Sequence, residues 1–323
     1  MAAEGVSIIY TTYRREPRFD WFADSLARQI GGDEVEAIFV DALHCTERAA
    51  TIEQVVRGRF PFLHVAPMPT PYSGPDRLTS RDLFTAASAR NTGIVHASHP
   101  FVAFVDDCSV LTPGWWHEVS EAAGAGYVIA GAYEKAWEMV VDAGRLLSRR
   151  VAAGRDTRWH VGSDDGRTKM IGGQLYGCSF AAPRQLLLDL NGFDELCDPI
   201  GSEDYHLGIR LEWSGAPLFY SRSMLTVESE ELATEGEPRP RLGLAAASED
   251  YLATLRTFGV EHRSTDGSWD NSHMVLDILY GTRELRSLDN YYELSTIEPG
   301  DLGALPAEFP STYWFDGRLL AGL

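Results

Sequence analysis

Short apolar runs alternate along the chain with longer segments in which apolar residues recur at helical spacing. The mainly apolar runs, which predict buried strands, cover residues 6–11, 37–41, 63–66, 101–105, 127–133 and 175–181. The predicted helices cover residues 19–30, 47–57, 79–97, 116–123, 183–190 and 201–213. Strands that alternate with helices pack as a sheet covered by helices, so the pattern predicts an α/β fold.

The most informative run, residues 101–105, ends in two adjacent carboxylates, Asp106 and Asp107. In α/β proteins ligands collect where the strands end at the carboxyl edge of the sheet. Asp is also a common turn residue, so taken alone the pair is equally consistent with a simple strand end. Two neighbouring acids repel each other, however, and a counter-charge would relieve the repulsion. Because carboxylates suit Mg²⁺ or Mn²⁺ beside substrate phosphates, we interpret the pair as a metal–diphosphate site.

The chain is less regular after residue 133. Residues 135–149 alternate around a turn at 142–144, which predicts a hairpin, and the polar, glycine-containing residues 150–173 favour a loop. Short strands are expected at 218–220 and 224–227, followed by a solvated linker at 228–240. Further helices are expected at 248–258 and near 273–285, so the chain is predicted to end in a helical and irregular extension.

Length and composition indicate an ordinary globular protein. Its 323 residues allow one large α/β domain with an extension or two small domains, and we favour the first. No apolar run is long enough to span a membrane, and the first ten residues show no signal or anchor pattern, so a cytoplasmic location is expected by default. The four cysteines are widely spaced, which favours reduced thiols over a zinc cluster.

The net charge of −19 argues against nonspecific attraction to nucleic acid or to an anionic membrane. A phosphate-bearing substrate would still need a local group of basic residues. The candidates for it are Arg14, Arg15, Arg77, Arg81, Arg90 and Lys169.

Six segments stand in a fixed order between residues 5 and 230. They are the polar turn at 11–14, Asp41 after the second strand, ARNTG at 89–93, FVDD at 104–107, GCSF at 177–180 and GSEDY at 201–205. The ordered set resembles family 2 glycosyltransferases of the GT-A fold. This resemblance implies a Rossmann-like mixed sheet flanked by helices.

The resemblance also implies a domain organisation. A catalytic domain would cover residues 1–230, with a nucleotide-binding half at about 1–110 and an acceptor half at about 111–230. The extension, residues 231–323, would pack on it.

The activity implied by the resemblance is metal-dependent transfer of a sugar from a nucleoside-diphosphate-sugar to an acceptor hydroxyl, usually with inversion. Saccharide, lipid, protein, small-molecule and modified nucleic-acid acceptors all remain open. The implied donor-binding residues, around base, ribose and diphosphate, are Thr11, Tyr13, Arg14, Asp41, Arg90 and Asp106. Asp204 falls at the position of the catalytic base, and Glu203 beside it could bond the acceptor. Acids in a first helical turn are also frequent because they stabilise the helix dipole.

The metal motif departs from the usual Asp-x-Asp, because Cys108 stands at its third position and a thiol suits Mg²⁺ poorly. Asp107 is therefore expected to be the direct ligand, with Asp106 facing the ribose. His273 is the candidate for a further ligand and Glu228 is its competitor, although His273 could equally be an ordinary surface residue.

The adjacent Trp115 and Trp116 have two interpretations. They could form an apolar platform for a sugar ring or pack in the core.

Two other functions are alternatives to the transferase. A sugar nucleotidylyltransferase is one of them, but no glycine-rich, lysine-containing loop follows the first strand. A noncatalytic nucleotide-sugar-binding protein is the other alternative, and Cys108 favours it.

Overall fold

The strands of the predicted pattern form one sheet. The structure, a computed structural model, describes residues 5–32, 34–67, 86–152, 156–160, 166–193, 203–234 and 294–296. Within them the strands are β1 Val6–Thr12, β2 Val35–Asp41, β3 Phe62–Val65, β4 Phe101–Asp106, β5 Ser109–Leu111, β6 Val128–Asp142, β7 Arg145–Val151, β8 Thr168–Lys169, β9 Ser179–Pro183 and β10 Leu218–Ser229.

Seven α-helices lie within the same described residues. They are α1 Phe19–Ala27, α2 Thr46–Val56, α3 Ala86–His96, α4 Trp115–Ala125, α5 Arg184–Asp189, α6 Glu203–Trp213 and α7 Glu230–Thr234. Short 3₁₀ turns occupy Thr157–His160, Gly172–Gln174 and Leu294–Thr296.

The sheet is mixed, with the strand order β3-β2-β1-β4-β9-β6-β10-β5. Its first four strands are parallel, as expected where helices connect successive strands. Strand β9 then runs antiparallel to both β4 and β6, while β10 runs parallel to β6. The prediction of a Rossmann-like mixed sheet is therefore confirmed.

Alternate residues of the strands build a core on each face of the sheet. On one face Ile9 and Phe104 pack with buried residues of α3, α5 and α6. On the other face Ile8 and Tyr10 pack with residues of α1, α2 and α4. Trp115 and Trp116 belong to this second core, so the sugar-platform interpretation is wrong and core packing is correct.

The predicted hairpin is confirmed. Strands β6 and β7 pair antiparallel around Ala143 and Gly144, which both have positive φ. Two other expectations are wrong. The short strands at 218–220 and 224–227 are one strand, β10, whose pairing with β6 is irregular between Ser221 and Thr226. The expected linker at 228–240 begins instead with the end of β10 and helix α7, and its remainder lies outside the described residues.

The residues 150–173, expected to be a loop, are anchored to the sheet in their described parts. Asp156 and Arg158 form a buried ion pair, and Arg158 donates to the carbonyl of Gly131 in β6. The predicted helices at 248–258 and 273–285 lie outside the described residues, as does the start of the one predicted at 79. Within the described ranges, no helix combines the length and apolar character needed to cross a bilayer.

Candidate active site

Polar side chains follow the parallel strands at their carboxyl edge. The register pairs Thr11 of β1 with Asp106 of β4, and Thr12 of β1 with Asp41 of β2. Since neighbouring parallel strands end side by side, polar residues from three distant segments of the chain meet along one line of the sheet. This edge is where the sequence placed the donor site.

The two carboxylates after β4 have different surroundings. Asp107 is buried, and its oxygens accept hydrogen bonds from Thr12 Oγ1 (2.6 Å) and Arg14 Nε (3.3 Å). Burial raises the pKa of Asp107 to about 7, although Arg14 and Thr12 lower it. The Asp106 side chain is 31% exposed. Among the described residues, Thr11 and Arg90 donate hydrogen bonds to its Oδ1. Asp106 is therefore the carboxylate that faces outward.

Arg90 of α3 connects this edge to helix α6. Its Nη2 donates to Asp106 Oδ1 (3.0 Å) and its Nη1 to Glu203 Oε1 (2.6 Å). Burial lowers the pKa of Arg90, but the carboxylates Asp106 and Glu203 outweigh it and hold the pKa above the usual range. A Cβ on Gly177 would lie 2.6 Å from Arg90 Cζ, so the guanidinium occupies space that only glycine leaves.

Asp204, in the first turn of α6, accepts hydrogen bonds from the backbone N–H groups of Gly177 (2.8 Å) and Tyr205 (2.7 Å). Burial and then the neighbouring Glu203 raise its pKa to about 6, against the lowering effect of Arg90. Near neutral pH the carboxylate is thus mostly ionised yet basic enough to accept a proton. The structure brings Asp204 and Glu203 close to Arg90 and Asp106, and the catalytic roles of the two acids stay predictions.

Glu228 reaches the same cleft from the end of β10. It is buried and accepts a hydrogen bond from Tyr133 of β6, a residue that the sequence did not single out. Burial raises the pKa of Glu228, and Asp106 adds to the rise, while Lys135 and Arg14 oppose it. Only the parallel pairing of β6 with β10 places Tyr133 here, and no local motif marks that pairing.

Cys108 does not enter the cleft. The residue is fully buried with φ of 55°, and its thiol donates to the carbonyl of Glu16. Its backbone N–H donates to Pro17 O. The third position of the motif therefore anchors the turn after β1 rather than facing a ligand, and Cys108 is a free thiol.

Asp41 is completely buried and its oxygens are fully used. They accept from Leu43 N, from Arg48 Nε and Nη2, and from His64 Nε2. Burial raises the pKa of Asp41, but the bonds from His64 and Arg48 outweigh it and lower the pKa. Arg48 also donates to the carbonyl oxygens of Arg14 and Arg15, so Asp41 supports the turn after β1. Its predicted contact with base or ribose stays a prediction.

The other predicted residues are placed as follows. Tyr13 lies on the turn after β1, where its hydroxyl accepts from Arg14 Nη2 (2.8 Å) and its ring packs against the guanidinium. Arg15 and Lys169 are exposed. Arg77, Arg81 and His273 lie outside the described residues, so the assignment of His273 as a metal ligand stays a prediction.

The charge of the cleft fits a cation. Two buried guanidinium groups, Arg14 and Arg90, face a larger set of carboxylates, namely Asp106, Asp107, Glu203, Asp204 and Glu228. In the part of the chain that the structure describes, no three Asp, Glu, His or Cys side chains form a ready metal site. Mg²⁺ commonly binds through one or two carboxylates and takes its other ligands from water and substrate phosphates. Asp106 is a partly exposed carboxylate among these residues.

Comparison with known proteins bears on the fold. No protein-family model and no curated protein matches the chain. Among solved structures, S. aureus TarS 1-349 in complex with UDP matches at 14% identity and a TM-score of 0.51, covering 86% of this chain and 70% of that one. The same protein in complex with UDP-GlcNAc matches at 16% identity and a TM-score of 0.53, covering 87% and 72%.

A third structure, GalNAc-T7 with UDP, GalNAc and Mn²⁺, matches at 11% identity and a TM-score of 0.53. The match covers 86% of this chain and 48% of that one. At these identities the similarity concerns the fold, and it confirms the fold predicted from the sequence. The chain has the GT-A fold of these glycosyltransferase structures.

Proposed function

We propose that the chain is a glycosyltransferase that moves a sugar from a nucleoside-diphosphate-sugar to an acceptor hydroxyl, with inversion. One observation carries the proposal. Arg90 bridges Asp106, the outward-facing acid of the strand edge, and Glu203, the neighbour of a second acid, Asp204. Asp106, which is suited to the donor diphosphate and its cation, therefore lies near Asp204, which is suited to accept a proton, in a GT-A fold.

The donor would lie along the carboxyl edge of β1, β2 and β4. We favour a uridine diphosphate sugar, because the solved structures with the same fold were obtained with UDP or UDP-GlcNAc. Thr11 and Tyr13 border this edge, and Arg90 holds a positive charge beside Asp106. A buried, doubly paired guanidinium is pre-organised, so it can stabilise charge on the departing diphosphate with little rearrangement.

We include a divalent cation in the proposal, because the carboxylates of the cleft outnumber its guanidinium groups and the donor adds further negative charge. Asp106 would hold the cation. A bound divalent ion would neutralise the charge that develops on the diphosphate as the sugar leaves. The earlier choice of Asp107 as the direct ligand stays a prediction, and it requires Asp107 to give up its pairing with Arg14.

Asp204 is the proposed base. During transfer the acceptor oxygen forms a bond to the anomeric carbon as the bond from that carbon to the diphosphate breaks. The hydroxyl proton passes to Asp204, and the diphosphate leaves with the bonding electron pair. The two backbone N–H groups from Gly177 and Tyr205 fix the carboxylate so that it need not reorient during the reaction.

The test is to incubate the protein with UDP-, GDP- and dTDP-sugars, Mn²⁺ and a mixture of hydroxyl acceptors, and to measure the released phosphates. Release of UDP, suppressed by chelation of the metal, is the expected result. UDP release that survives chelation would remove the cation from the proposal. Release of pyrophosphate would instead indicate a nucleotidylyltransferase. Tight donor binding without turnover would indicate a noncatalytic binding protein. The cytoplasmic location stays a prediction, and the mixture of acceptors is used because every acceptor class is still open.

A further inference from the structure

A side chain from the described residues 294–296 lies inside the core on the α3 and α5 side of the sheet. Leu294 is 1% exposed and packs in the core beneath α3 and α5. Its backbone N–H donates to Asn191 Oδ1 at 2.7 Å. A Cβ added to Gly192, whose φ is +64°, would lie 2.6 Å from Leu294 Cδ2 and 2.3 Å from Asn91 Oδ1. Leu294 therefore presses directly on the turn formed by residues 190–193.

This 190–193 turn is bonded to two helices. Asn91 of α3 donates to Phe193 O (2.8 Å) and accepts from Phe193 N (2.8 Å). Arg210 of α6 donates to Gly192 O (2.6 Å) and to the carbonyl of Leu190. The turn is a common support for both helices because its backbone groups are used by each.

The same two helices carry the central ion pair of the site. Arg90 precedes Asn91 on α3, and its guanidinium lies 5.4 Å from the centre of the Phe193 ring. Glu203 and Asp204 begin α6, the helix that Arg210 ties to the turn. A shift of the 190–193 turn would therefore move Arg90 and the two acids relative to each other.

We propose that Leu294 is a positioning residue for the transfer reaction. By filling the space under the 190–193 turn, it fixes α3 and α6 at the separation that the Arg90–Glu203 pair and the Asp204 carboxylate require. The role in turnover rests on the function proposed above, whereas the effect on the two helices does not. Leu294 thus supports the site through the 190–193 turn.

The test compares Leu294→Ala with Leu26→Ala, which opens a similar cavity in the core on the opposite face of the sheet. Leu294→Ala should lower kcat by about ten- to a hundredfold, since small misplacements of reacting groups are costly, and leave the Kd for UDP within about twofold. Because Arg90 lowers the pKa of Asp204, the acidic midpoint of the kcat profile should also move to higher pH. Leu26→Ala should change stability but neither kcat per folded molecule nor the midpoint.

Two further variants keep the test decisive. Leu294→Met should retain kcat, and Ser295→Ala, at an exposed neighbour, should behave as the wild type. If Leu294→Ala does not fold, Leu294→Val takes its place with a smaller expected loss.

Hydrogen exchange, measured on the full chain, tests the role of Leu294 without an activity assay. Exchange in α3 and α6 should accelerate on Leu294→Ala by more than the loss of global stability explains, whereas on Leu26→Ala it should change there only as far as that loss explains. Equal effects of the two cavities would overturn the positioning role. If the wild-type protein shows no turnover, the proposed function is wrong. The hydrogen-exchange comparison would still test whether Leu294 positions the two helices.

Discussion

Arg90 and Glu203 stand 113 residues apart in the chain, yet their side chains meet at 2.6 Å with 4% and 9% of their surfaces exposed. The pair joins α3, whose Arg90 lies at the carboxyl edge of the sheet, to α6, which carries Asp204. Buried ion pairs contribute little net stability compared with apolar packing, but breaking one leaves an uncompensated charge. The pair is therefore best tested by removing one partner and then both.

Arg90→Met should lower the free energy of unfolding by about 3 kcal/mol, because it leaves Glu203 and Asp106 without their buried counter-charge. The double variant Arg90→Met with Glu203→Gln should recover part of this loss. Urea denaturation measures both values. The matched control is Arg150→Met, whose pair with Glu138 is 60% and 66% exposed and should change stability by less than about 1 kcal/mol. Similar losses at both sites would contradict the prediction.

Replacing Asp204 by Asn should reduce turnover by at least about a hundredfold, because the acceptor proton then has no positioned base. UDP binding, measured by calorimetry, should stay within about twofold of the wild type. Asp189→Asn, at an exposed position of α5, is the control. Unchanged turnover in Asp204→Asn would show that another group takes the proton.

The pH dependence of turnover should follow the same carboxylate. The pKa of Asp204 is raised to about 6, and the base acts only when ionised, so kcat should be constant above this value and fall as the pH drops below it. Initial rates should be measured from about two pH units below this pKa to about two units above it, which brackets the midpoint. A flat profile across pH 6 would argue against Asp204.

Gly177→Ala should lower turnover by about a hundredfold while the protein stays folded. Its Cβ would lie 2.6 Å from Arg90 Cζ, and two carboxylates hold that guanidinium in place, so the ion pair must shift. Gly124→Ala is the control, since nothing lies within 4 Å of its Cβ and helix α4 should gain up to about 1 kcal/mol. Kinetics and thermal unfolding of both variants separate the two effects.

Asp41→Asn should lower Tm at neutral pH, because Asp41 is the shared partner of Arg48 and His64. A carboxylate whose pKa is lowered on folding stabilises the fold above its unfolded pKa and loses that contribution as the pH falls. The difference in Tm from the wild type should therefore shrink below about pH 4. Asp20→Asn, at a partly exposed pair with Arg18, should change Tm little at any pH. An equal difference in Tm at pH 3 and pH 7 would refute the linkage.

The fold and the alignment of polar residues at the strand ends could be predicted because they depend on local pattern. Apolar runs marked the parallel strands, and strand ends placed Thr11, Asp41 and Asp106 on one edge. The same reasoning failed at β10, where Ser221, Arg222 and Ser223 interrupt the apolar run and the strand continues through irregular pairing. Pattern alone does not reveal which neighbour will satisfy such polar residues.

The roles of individual acids depend on partners that the sequence leaves far apart. Asp106 and Asp107 are adjacent, and only the positions of Thr12 and Arg14 make one of them buried and the other open. The sequence predicts that Asp41 contacts the donor, but it does not reveal that His64 of β3 and Arg48 of α2 bond to its oxygens. Contacts of this kind arise from strand order and loop path, for which single-sequence periodicity has no signal.

The contact between Leu294 and Asn191 also sets an order of assembly during protein synthesis. The two residues are 103 positions apart, so the 190–193 turn leaves the ribosome long before the side chain that fills the space beneath it. Contacts at such separation form late, because closing a long loop costs chain entropy before it gains packing. All ten described strands are therefore synthesised before Leu294 can fill the space beneath the 190–193 turn.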